Sequence, residues 1–419
     1  MLFRHFWLAS AALLAVQYPA WVMAGEYDDG FLTSISGDFN LDYRYFFDSA
    51  QYSQQQHSHS QATNVRAYRV WNVGVDSLSV HAFLRLGDED NKRNHFDLRE
   101  LAWVHAEDLW QFSLGISTIY WGVTESQQLV NIVNQVDLVE AIDGQQKLGQ
   151  TMLSATRQTG SGSLSFYILP GFRERVFPGA EGRLRIPLLI DSKHPEYEAA
   201  EGARHVDLAL RYQEHYHGLD MALSQFVGTS RDPSFKLTSN GTLQPYYPQI
   251  SQTSLELEFI ANDWIWKLEA LRRQGQGDSY TAATLGLEYT RYGIFGSAAN
   301  LSVYLEYLFD QRDDNLYDAI FINQPSDGSA SPLFENDFFI AFGFNFNESS
   351  SGSDPDLLFS LFIDDTTGAR VFAMAANHKL SSNLKLSIEA KAFSGFDSRN
   401  FFYFLEEDRF SKITLSWYF

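Results

Sequence analysis

The chain has 419 residues, 45% of them hydrophobic and 15% aromatic, enough for a large packed structure. It contains no cysteine, which excludes disulfides, thiolate metal sites and cysteine nucleophiles. A formal charge of −21 argues against nucleic acid as a partner and against docking on an anionic membrane surface.

Residues 1–24 have the make-up of a secretory signal peptide. Arg4 is the only formal positive charge before an apolar run over 6–16, and Val22-Met23-Ala24 supplies a cleavage site. The run is too short to span a bilayer as a helix. Cleavage there would remove Arg4, take the charge to −22 and leave 25–419 as one domain. No later stretch approaches the length of apolar sequence that a spanning helix needs. A secreted chain of this kind can still live in a membrane by closing a sheet, because open strand edges cannot be left in hydrocarbon.

Residues 33–45 alternate with a period of two. Ile35, Gly37, Phe39, Leu41, Tyr43 and Tyr45 fall on one parity, and Ser34, Ser36, Asp38, Asn40, Asp42 and Arg44 on the other, so the two sets occupy opposite faces of a strand. The Gln- and Ser-rich stretch 48–63 is expected to be an exposed loop. Strands follow over 65–75, 78–86 and 96–105, separated by a tight turn at Asp76-Ser77 and the charged loop 87–94. After a short turn over 106–109, Trp110, Phe112, Leu114 and Ile116 oppose Gln111, Ser113, Gly115 and Ser117. From here long connections (121–150, 171–204, 228–248 and 311–333) alternate with short ones (158–162, 214–218 and 261–263). Phe338, Ile340, Phe342, Phe344 and Phe346 form the most apolar strand face. Strands over 357–363, 372–380 and 384–390 lead to 408–419, where Ile413, Leu415, Trp417 and Phe419 share one parity and Lys412, Thr414, Ser416 and Tyr418 the other.

The expected fold class is all-β, a transmembrane antiparallel up-and-down β-barrel of about 18 strands, with 16 as the fallback, carrying short periplasmic turns and long extracellular loops. A soluble sandwich has no reason to sort its loops by length. The end of the chain, with Trp417 two residues before a terminal Phe419, resembles the C-terminal assembly signal of bacterial outer-membrane β-barrels. That resemblance implies residence in the outer membrane of a Gram-negative cell and contact with the barrel-assembly machinery, outer-membrane lipid and lipopolysaccharide. The Trp121-Gly122 step before a long loop resembles porin-like families. It implies a channel for diffusion of small solutes and ions, with no cofactor and no nucleic acid as partner; the oligomeric state stays open.

With the apolar parity facing lipid, the other parity lines a lumen. It supplies Asp207, Arg211, Glu256, Glu258, Lys267, Glu269, Glu288, Glu306, Asp310, Lys385, Glu389 and Lys391. Carboxylates predominate there, so a mild cation preference is expected. In 171–204, Arg173, Arg175, Arg183, Arg185, Lys193 and Arg204 stand among carboxylates. They are read either as a site for an anionic solute or lipopolysaccharide phosphates, or as a self-paired exposed loop, with the second preferred. His57-Ser58-His59 and His215-Tyr216-His217 lack a neighbouring carboxylate set, so no metal is assigned. No G-x-S-x-G occurs, and Asn377 and His378, adjacent in a strand, point to opposite faces. A barrel hydrolase is therefore the alternative from the enzyme class, beside a sealed structural or adhesin barrel. A plugged transporter is disfavoured, since little precedes Thr33.

Residues 121–150 carry the last expectation. Thr124 and Gln127 have capping-box spacing and Gly144 is placed to end a helix, while Leu129, Ile132, Val133, Val136 and Val139 would form one apolar stripe. The predicted inner wall offers it an apolar partner at Phe339, Ala341, Leu358, Phe362, Val371, Ala373 and Ala375. Docked there, the helix would bring Glu125, Asp137, Glu140, Asp143 and Lys147 to a narrowed passage. The alternative is a helix packed on the neighbouring extracellular loops.

Overall fold

A computed structural model describes residues 32–50, 52, 55–312, 336–346, 356–398 and 401–419. The expected signal peptide and most of the expected loop 311–333 lie outside the described residues. Among the described residues eighteen strands form one closed ring, and no α-helix occurs. In chain order they are β1 (Leu32–Phe46), β2 (His57–Trp71), β3 (Asp76–Gly87), β4 (His95–Glu107), β5 (Trp110–Ser117), β6 (Gln150–Gln158), β7 (Gly162–Pro170), β8 (Val206–Tyr216) and β9 (Leu219–Thr229). Then come β10 (Gln249–Ala261), β11 (Trp264–Gln274), β12 (Tyr280–Arg291), β13 (Asn300–Asp310), β14 (Asp337–Asn345), β15 (Asp356–Asp364), β16 (Arg370–Lys379), β17 (Leu384–Ser394) and β18 (Phe410–Tyr418). Each strand pairs antiparallel with its neighbour in sequence. The last returns to the first, with Asp38 opposite Tyr418 and Phe46 opposite Phe410.

The register turns the alternation of single strands into two continuous surfaces. Leu268, Leu285, Tyr307, Phe338 and Ile363 are successive cross-strand partners from β11 to β15 and make one apolar row on the outside. Leu285 is 60% and Phe338 43% exposed. A belt of this extent left in water would cost about 25 cal/mol per Å² of apolar surface, which is why such a wall needs hydrocarbon against it. Trp110, Trp264, Trp266 and Trp417 are exposed near the end of the ring that carries the short turns, the level at which aromatic girdles sit.

Two details depart from the sequence expectation. Strand β2 starts at His57, so the loop expected over 48–63 is shorter. Ser58, Ser60, Ala62 and Asn64 lie opposite Arg44, Asp42, Asn40 and Asp38 on the polar inner face, and their small side chains suit it without any apolar signal on the other parity. His57 and His59 lie side by side in this strand, with rings 6.1 Å apart and His59 Nδ1 3.2 Å from Asp88 Oδ2. Between β3 and β4 the register shifts: His81 faces Glu100 and Ala82 faces Leu98, leaving Arg99 as an extra bulged residue. Its guanidinium lies 3.9 Å from the centre of the Phe83 ring.

A closed ring leaves no strand edge at which unfolding can begin. Purified protein in detergent should therefore migrate differently before and after boiling, with a strand-rich circular dichroism spectrum. Identical migration of the two samples would contradict the closed ring.

Candidate functional site

The site is built where residues 118–149, between β5 and β6, turn into the ring. Five successive backbone N–H groups donate to carboxylates on three wall strands. Gly122 donates to Glu256 on β10 (2.9 Å), and Val123 and Thr124 to Glu269 on β11 (2.7 and 2.8 Å). Glu125 and Ser126 donate to Glu306 on β13 (2.7 and 2.9 Å), which the Ser126 hydroxyl also reaches. Glu269 also accepts from the Val130 amide (3.1 Å), and the Thr124 hydroxyl lies 2.7 Å from it. Glu256, Glu269 and Glu306 are no more than 5% exposed. Hydrogen bonds with an ionised acceptor are roughly twice as strong as neutral ones, and amides converging on one anion form a nest. Gly122 has φ +117°, and a Cβ there would stand 2.8 Å from Glu269 Oε1, so only glycine permits the approach. Beside these contacts Lys267 joins Glu125 (2.5 Å) to Glu288 (3.0 Å). Arg211 pairs with Glu256 (2.8 Å) and lies over the Trp121 ring.

The segment holds no helix, contrary to the sequence expectation. Its N–H groups are taken by the wall carboxylates and by a hairpin-like pairing in which Asp137 N donates to Gln146 O and Leu148 N to Gln135 O (both 2.8 Å). The β-branched residues of the stripe are poor helix formers, so nothing local outweighs these partners. Gly144, at φ +70°, closes the turn 141–144 instead of a helix. The apolar stripe is buried, but mostly elsewhere. Val130, Ile132 and Val133 pack with Trp121 against Met152, Leu169, Ala209, Phe226 and Ile250 of the wall, and Leu129 against Leu271, Tyr280 and Ala282. The wall patch at Phe339, Ala341, Leu358, Phe362 and Val371 is covered by Leu405 of the 3₁₀ segment Phe401–Asp408 together with Leu184 and Phe396, and only Ile142 comes to it from 118–149.

At its far side the segment meets basic wall groups. Glu140 binds Arg85 of β3 (2.8 Å), Asp137 faces His95 of β4 (3.4 Å), Gln146 accepts from Arg99 (3.2 Å) and Asp143 binds Lys391 of β17 (2.9 Å). β4 and β13 are nine strands apart in a ring of eighteen, so the segment is a strap across the lumen between opposite walls. In the middle Arg231 grips the Val133 carbonyl with Nε and Nη2 (3.0 and 2.8 Å) while binding Asp207 (2.5 Å). Burial, with Arg175 nearby, pushes the Lys147 ammonium down to about 8.

The site residues named from the sequence therefore separate into two groups. Asp207, Arg211, Glu256, Glu258, Lys267, Glu269, Glu288 and Glu306 are on the inner face of β8 to β13, most of them buried in contact with the strap or with the groups that hold it. Lys385 and Glu389, on the inner face of β17, are only half-buried. Asp42, Arg66, Arg85 and Lys412 were missed, although their inward parity was readable. Arg231 lies in a loop and had no signal. Three arginines of 171–205 pair outside their own loop, Arg173 with Asp97, Arg175 with Asp232 and Arg183 with Asp408 (2.7, 2.5 and 2.6 Å), while Arg185 donates to carbonyls within it. Their charges tie that loop to its neighbours, in place of the self-paired exposed loop expected. Trp417 is opposite Phe39 at the seam, and Phe419 exchanges backbone hydrogen bonds with Gly37 (3.0 and 2.9 Å).

No protein-family description matches the chain, and no curated protein is similar to it in sequence. Solved structures are similar in fold. OccK2 (OpdF) of Pseudomonas aeruginosa superposes with a TM-score of 0.56 at 10% identity, covering 93% of this chain and 98% of that one. A BenF-like porin of Pseudomonas fluorescens Pf-5 gives 0.53 at 10% identity, covering 93% and 98%. OccAB1 of Acinetobacter baumannii gives 0.52 at 9%, covering 92% and 96%.

Proposed function

We propose that this chain is a porin-like channel of the bacterial outer membrane that passes small solutes by diffusion, without a cofactor, and that the strap sets its narrowest part. The observation that carries the reading is a closed ring of eighteen strands, apolar outside and carrying acidic and basic side chains over much of its inner face. Rings of about eight strands are filled by their own side chains, whereas those of roughly 16–18 leave an aqueous interior. The likeness to a porin structure supports the same reading. The wall's ionised groups are engaged in holding the strap and in ion pairs with one another, which favours a channel over an enzyme. The mature chain would be one barrel domain over 25–419, with lipid against its belt, lipopolysaccharide at the outer rim and the barrel-assembly machinery engaging its terminal strand.

Purified protein in planar bilayers should give discrete conductance steps, with a reversal potential under a salt gradient that reports its ion preference. Because the strap crosses the whole lumen, the competing reading is a sealed structural barrel. Silent bilayers from protein that is heat-modifiable would establish that reading instead.

A further inference from the structure

Exposure of the charged inner-face groups is uneven around the ring: Asp38 and Arg44 on β1 are buried (9% and 7%) and the Lys391 side chain on β17 is 12% exposed, but other groups on the same arc are more open than those of β10, β11 and β13. Glu256, Glu258, Glu269, Glu306 and Lys267, on β10, β11 and β13, are all 5% exposed or less. On the arc from β17 through β18 and β1 to β2 the side chains of Glu389, Lys412 and Arg66 are 28%, 26% and 33% exposed, and that of strap residue Asp143 is 28% exposed. Inner-face Lys385, Ser387 and Thr414 are half-buried as well. The strap lies against β10–β13 through backbone amides and so covers that wall; on the arc it touches β17 only through the Asp143–Lys391 pair.

Resting on the channel reading, we infer that the solute path is eccentric. It runs along β17, β18, β1 and β2, where the Glu389–Lys412 pair and Arg66, whose partner Asp38 is itself buried, meet the solute and set selectivity. The glutamates of β10, β11 and β13 lie behind the strap and do not touch the path. This reassigns selectivity from the wall with most carboxylates to a wall of paired charges, where removing one partner leaves the other facing water.

The chain has no cysteine, so any introduced thiol is unique. Ser387→Cys and Thr414→Cys place it on the arc; Ser254→Cys and Thr284→Cys place it on inner-face positions 3% and 1% exposed. In single-channel recordings a trimethylammonium methanethiosulfonate reagent should cause a stepwise loss of current in the first pair and none in the second. Lys412→Gln should shift the reversal potential toward cations, and Glu258→Gln should leave it in place. Block through Ser254→Cys or Thr284→Cys, or modification of the arc thiols with no loss of current, would overturn the eccentric path while leaving the channel intact. Absence of conductance in the unmodified protein would overturn the channel reading itself, and the path with it.

Discussion

Replacing Glu269 and Glu306 together by alanine is expected to release the strap and raise single-channel conductance several-fold, in a barrel that still shows heat-modifiable migration. The two carboxylates hold five amides, those of Val123, Thr124, Val130, Glu125 and Ser126. Each buried N–H left without an acceptor costs about 1–3 kcal/mol. Moving a two-state element from almost always closed to almost always open takes about 5.5 kcal/mol, so the loss of five such bonds is of the size required. The Arg85–Glu140 and Arg231–Val133 contacts remain and oppose release, so the open state should be noisy rather than steady. Deleting residues 126–144 removes those contacts as well and should give a larger and quieter increase. Unchanged conductance in an assembled double variant would mean that the glutamates do not hold the strap, and unchanged conductance in the deletion would mean that the strap does not narrow the passage.

The seam between β18 and β1 should be as sensitive to a single substitution. Gly37 is on the outer parity, and a Cβ there would collide with the Phe419 ring and with the Asn64 carbonyl oxygen. The bare backbone lets the terminal ring lie flat while Phe419 and Gly37 exchange hydrogen bonds beyond the last paired residues. Gly37→Val should therefore reduce the amount of heat-modifiable protein in the outer membrane severely, and Phe419→Ser should do the same by removing the ring. The two act on one contact, so combining them should add little to either alone. Wild-type amounts of assembled protein in Gly37→Val would show that the seam tolerates the side chain and that the terminal phenylalanine acts in some other way.

The barrel was legible in the sequence because lipid and water impose a rule on every strand separately. Alternation at Ile35 to Tyr45 or Ile413 to Phe419 needs no knowledge of partners, and the sorting of loops by length follows from which end of the ring each one closes. The inward parity of Glu256, Glu269 and Glu306 was equally local. What those carboxylates touch was not. A strand pattern places a glutamate inside the ring but cannot say whether water or the amides of residues 122–126 will meet it, since the two segments are more than a hundred residues apart. The same distance misled the reading of the strap. Thr124, Gln127 and Gly144 carry helix signals worth about a kilocalorie per mole each. They were outweighed by charge-assisted bonds to the wall and by burial of Val130 and Val133 against Met152 and Phe226. The sequence by itself determined the faces of the strands, which follow from a period of two, and the closure of the sheet, which follows because open strand edges cannot be left in hydrocarbon. Only the tertiary structure decided which wall the strap covers, because that depends on partners brought together across the ring.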